Sequence, residues 1–93
     1  MNPDAGVAWL LADAAEPLLT GDERTMVFVE LGCGEYHLAI ERILAAVVAS
    51  GFALPPAVLA ALTKWLDSYV GSPEERALRA LIAEIRPLNP PAP

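Results

Sequence analysis

The placement of proline and glycine constrains this chain more than any other feature, because it cuts the sequence into short segments before hydrophobicity is considered. Asn2-Pro3-Asp4 has the form of an N-cap, an N1 proline and a first-turn acid, and Pro17 closes the Ala-rich segment that they open. Thr20-Gly21-Asp22-Glu23 has the form of a capping box, and Gly32 suits the C′ position of the short helix it would start. A third segment runs from about Gly34 to Ser50 and is stopped by Gly51. The fourth opens at Pro55-Pro56 and ends by Gly71; Ser72-Pro73-Glu74-Glu75 is a second capping box, and Pro87 closes the segment after it. The expected architecture is all-α: a small bundle of four to five short helices forming a single domain over residues 1–87, with 88–93 as a disordered Pro-rich tail.

Helical periodicity supports most of this. Val7, Leu10, Leu11 and Ala14 share one face of the first segment. Val58, Leu59, Leu62, Trp65, Leu66 and Tyr69 share a broad face of the fourth, and Leu78, Leu81, Ile82 and Ile85 line the fifth. The exception is TMVFVELG, where Val27, Phe28 and Val29 favour a strand. Caps at both ends favour a helix there; the alternative is an α+β fold with one short strand or hairpin near residues 25–31.

Composition then limits function. An apolar fraction of 55% and a mean hydropathy of +0.42 give a short chain more apolar surface than one small core easily hides, so a homodimer or a protein partner is expected. The net charge of −6 lies entirely in residues 1–46, where eight carboxylates face only Arg24 and Arg42. A field of that sign favours a basic partner and repels phosphate, so direct nucleic-acid binding is not expected. A helix-turn-helix across Ala45–Tyr69 would offer only Lys64 as a cation for reading bases. The uncharged run from Ile43 to Thr63 has the length of a membrane span, but Gly51 and Pro55-Pro56 break it, so no membrane association is expected. One cysteine and an opening MNPDAG without a basic n-region point to the cytoplasm.

The only cysteine and the only histidine fall together in LGCGEYHLAIER. On a continuous helix, Cys33, His37 and Glu41 would stack at i, i+4 and i+8 as zinc-competent ligands, with Glu30 or a second chain as the fourth. Gly32 and Gly34 instead mark a turn around Cys33, and His37 lies at the edge of the Tyr36, Ile40, Ile43, Leu44, Val47 face. The structural alternative is therefore a boundary histidine and a small apolar cysteine. No Gly-rich phosphate loop, H-E-x-x-H pair, EF-hand spacing or G-x-S-x-G elbow is present, so neither enzyme chemistry nor a cofactor is expected.

Gly34 to Ala46, GEYHLAIERILAA, resembles the second helix of a tetratricopeptide repeat. The resemblance covers that one helix; the family's Trp, Gly and Tyr spacing is missing upstream, and a step of 34 residues from Ala39 lands on Pro73. It implies helix-hairpin packing and a role in protein interaction. The residues themselves suggest the same role. Leu38, Ala45 and Ala49 lie opposite the core face of the third helix, and Trp9 lies about 100° off the stripe of the first, so these four are the expected interface residues. The expected function is a non-catalytic, self-associating protein-interaction or regulatory domain, with a metal- or small-ligand-binding domain centred on Cys33 and His37 as the alternative.

Overall fold

A proline or a glycine stands in every gap between helices, although Gly32, expected just beyond the second helix, is its last residue. The structure, a computed structural model, describes residues 3–88. Its helices are α1 (Pro3–Ala14), α2 (Gly21–Gly32), α3 (Tyr36–Ser50), α4 (Pro56–Asp67) and α5 (Pro73–Ala83). The N-cap expected at Asn2 and residues 89–93 of the tail lie outside the described residues. Among those residues no strand forms; an isolated parallel bridge joins Leu54 to Pro87, with Leu54 N donating to Arg86 O and Leu88 N to Leu54 O. No helix among them is long and apolar enough to cross a membrane.

The bundle is arranged around α3. Ala39, Ile40, Ile43, Leu44 and Val47 are buried, a stripe that recurs at i, i+1, i+4, i+5 and i+8 and is wide enough to meet several neighbours at once. α1, α2 and α5 all pack on α3, while α4 packs on α1 and α5. The β-branched run Val27–Val29 is helical because α2 gains more from burying Val27 and Leu31 against this core than strand propensity could supply to a lone unpaired segment.

Two local expectations change. The buried face of α1 is Ala8, Leu11, Ala12 and Ala15, whereas Leu10 is 42% exposed, so the helix is rotated from the stripe its large side chains suggest. The reason lies at Asp4, which stands at i, i+4, i+7 and i+11 with Ala8, Leu11 and Ala15. Turning this stripe inward brings its carboxylate to donors on α4, and the three alanines let α1 approach the core closely. The helix caps also differ from one another. Ser72 Oγ accepts from the Glu75 amide at 3.3 Å, the N-cap half of a capping box, while the Glu75 carboxylate pairs with Arg79 and the Ser72 amide donates to Tyr69 O instead. Thr20 is extended (φ −134°, ψ 158°) as an N-cap residue should be but makes no side-chain cap, because Gly21 after it takes φ +58° in place of the ordinary first helical residue. The left-handed residue after α2 is Gly34 (φ +78°), two positions later than expected, because Gly32 stays in the helix and Cys33 serves as its C-cap.

Gly51 and Gly6 make opposite predictions for the same chemical change. A Cβ at either position meets nothing within 4 Å, so backbone conformation alone decides the outcome. Gly51 ends α3 at φ +72°, where a side chain is strained, and Gly51→Ala is expected to cost about 1 kcal/mol. Gly6 lies inside α1 with an ordinary helical φ, and Gly6→Ala is expected to stabilise by roughly 0.5–1 kcal/mol. Urea denaturation of the two variants beside the parent checks the sign of each.

Candidate functional site

The segment from Leu31 to Arg42 is divided among three environments. Cys33 is exposed at the end of α2. His37 turns toward α1 and α4, and Glu41 is exposed on the side of α3 that faces α2 and α5. Among the described residues no group of three or more His, Cys, Asp or Glu side chains is placed to hold a metal ion.

His37 belongs to a polar and aromatic cluster that joins three helices. Trp65 Nε1 donates to Asp4 Oδ1 at 2.8 Å, the Tyr69 hydroxyl donates to the same oxygen, and His37 Nε2 stands 3.3 Å from Asp4 Oδ2. The rings also pack on one another. His37 lies 5.3 Å from Trp65 and 5.2 Å from Tyr69, edge-on to the latter, and Trp65 lies 5.3 Å from Tyr69. Trp65 lies in the last turn of α4 and Tyr69 in the turn that follows, where Tyr69 N donates to Leu66 O, and the two polar tips share one acceptor.

The Asp4 side chain is only 19% exposed, and burial works to raise its pKa. That effect is outweighed by the Tyr69 and Trp65 hydrogen bonds and by His37, which together hold it below the ordinary aspartate value of 3.8. The same contact works the other way on the phenol: donation to Asp4, with burial, raises Tyr69 above its usual 10.0. Chemically the cluster is a clamp, because a carboxylate kept ionised gathers donors from α3 and α4 onto the first turn of α1. Sequence reading takes Asp4 only as a first-turn acid. The spacing of Trp65 and Tyr69 signals that an acceptor is needed, but nothing local identifies which acid supplies it.

A second charged contact joins α2 to α3. Glu30 is 8% exposed and accepts two bonds from one guanidinium, Arg42 Nε to Oε1 at 2.9 Å and Nη2 to Oε2 at 3.2 Å. The bond to Glu30 is the main reason the Arg42 pKa is raised. Beside this pair runs an open groove of about 450 Å³. Leu38, Ala45, Ala46 and Ala49 form its apolar wall, and Glu23, Glu30, Glu41 and Arg42 carry its charge. Three of the four expected interface residues therefore meet in one groove. The fourth, Trp9, sits elsewhere: its ring is 6.1 Å from Phe28 at the α1–α2 seam, with 48% of the residue exposed.

The Asp4 clamp predicts an acid-dependent stability with a definite sign. Because the folded-state pKa is depressed, the clamp contributes fully above the unfolded value near 3.8 and is lost as pH falls through the lower folded value. Asp4→Ala is expected to cost about 2–3 kcal/mol at pH 7 and Asp4→Asn less, since the amide oxygen can still accept from Trp65 and Tyr69 while the charge is lost. In pH-dependent denaturation the gap between parent and Asp4→Asn should be open at about pH 5 and above and should close as pH falls below about 4 through the lower folded-state value of Asp4. A gap that stays constant down to pH 2 contradicts the clamp.

Comparison with known protein families, curated proteins and solved structures finds no match to this chain, so its functional reading rests on the geometry above.

Proposed function

We propose that this chain is a non-catalytic protein-interaction domain that self-associates through the α1–α2 seam. The observation that carries this is the distribution of exposed apolar side chains. Among the described residues, four of the eight large hydrophobic side chains left exposed, Trp9, Leu10, Phe28 and Val29, lie on α1 and α2 outside the lining of the α2–α3 groove, and Trp9 and Phe28 meet at the seam itself. Surface apolar residues gathered in this way characterise binding faces more than solvated ones.

The seam has the composition of an interface centre. Trp9 lies against Phe28, the Arg24 guanidinium stands 5.3 Å over the Phe28 ring, and Arg24 Nη1 is paired with Glu16 at 2.9 Å. That pairing leaves the seam close to neutral, so a second copy meets no like-charge barrier there. The remaining acidity of the N-terminal half disfavours nucleic acid as a partner. A reducing cytoplasm suits an exposed Cys33 that has no second cysteine in the chain.

Sedimentation across a concentration series tests the proposal. The mass should rise from the 9.9 kDa of one chain toward twice that value, and Trp9→Ala should weaken the dimer by roughly thirtyfold with little change in Tm, since the ring is half exposed. A 9.9 kDa species at every concentration would sink self-association.

A further inference from the structure

We infer that the α2–α3 groove receives a basic amphipathic helix from a different protein. This rests on the interaction reading above but not on the dimer, because the groove and the seam lie on opposite sides of α2.

The groove has the shape for a helix. Leu38, Ala45 and Ala49 are exposed along one side of α3 and span about three turns, roughly 16 Å. Leu38, 51% exposed, stands at one end as a knob, and the alanines leave the α3 backbone approachable over the remainder. On the α2 rim, Met26 shares the face of Glu23 and Glu30 by i, i+3 and i+7 spacing and adds 44%-exposed apolar surface.

Charge selects the occupant. Glu23, Glu30 and Glu41 face a single guanidinium, Arg42, which is already held by Glu30. The lining therefore has a net charge of −2, and among the described residues Glu23 and Glu41 have no ion-pair partner. Groove-to-groove packing of two copies would bring these carboxylates together, which excludes a two-fold dimer here. A copy also lacks a suitable cationic helix. Arg24 and Arg79 are engaged in their own pairs, and Lys64, Arg76 and Arg86 are dispersed over α4, α5 and the segment after it. A partner helix with leucine or alanine on its inner face and lysine or arginine on both flanks would satisfy the wall and the unpaired acids together.

A labelled synthetic helix of about 18 residues tests this, with a leucine-alanine face flanked by lysine and a control in which every lysine is replaced by glutamate. Fluorescence anisotropy against the full chain should show binding of the lysine peptide that falls steeply with salt, and none of the glutamate peptide. The E23Q/E41Q double variant should weaken binding by about tenfold, and Ala45→Trp, which fills the groove from an exposed position, should abolish it while circular dichroism stays that of the parent. No binding of the lysine peptide, equal binding of the two peptides, or parental affinity in both variants would each overturn the proposal. Sedimentation of the same samples separates the two surfaces: a strict monomer that still binds the peptide removes the seam and keeps the groove, and a dimer that ignores the peptide does the reverse.

Discussion

The burial of α3 on three sides is the constraint on which the other helices depend. A helix that carries Ala39, Ile40, Ile43, Leu44 and Val47 on one broad face cannot be covered by a single neighbour, and α1, α2 and α5 each take part of it. Removing from water side chains of this size is worth about 1.5–3 kcal/mol each for the Ile, Leu and Val positions. That is large against the net stability of a domain this small. The short helices α1 and α5 would be marginal in isolation, and packing on this face supplies what their length cannot.

Apolar burial is not directional, so something further must set how each neighbour is turned. Two carboxylates do this. Asp4 collects Trp65, Tyr69 and His37 and so sets which stripe of α1 faces inward, at the expense of leaving Leu10 outside. Glu30 and Arg42 fix α2 against α3 through a two-bond contact whose planar geometry tolerates little rotation. With α2 held there, the outer strip of α3 remains uncovered beside the carboxylates of α2, and the acidic groove follows from that arrangement.

Much of this was legible in the sequence. Proline and glycine positions mark every gap between helices, and the small residues opposite the α3 core stripe identify the strip that remains open. What was not legible depends on partners distant in the chain. Asp4 and Trp65 are 61 residues apart, and no local pattern distinguishes a carboxylate that caps its own helix from one that meets an indole on another. The same holds for His37. Its nearness to Cys33 and Glu41 along the chain suggests a ligand set, but the break at Gly34 starts α3 afresh and turns the imidazole toward α1 and α4. Trp9 shows the middle case: its position off the core stripe was readable, and its stacking on Phe28 was not.

On this account α2 is the working helix, held to the core by one edge and offering a near-neutral aromatic seam on one side and an acidic groove on the other. Its capacity to do so rests on α3 being the last element to lose its structure. Native-state hydrogen exchange tests that claim most directly. The amides from Ile40 to Val47 should exchange only through global unfolding, with free energies that fall with denaturant along the full unfolding slope, while those of α2 open at lower cost. Exchange of the α3 amides through local opening, independent of denaturant and no slower than that of α2, would contradict the account.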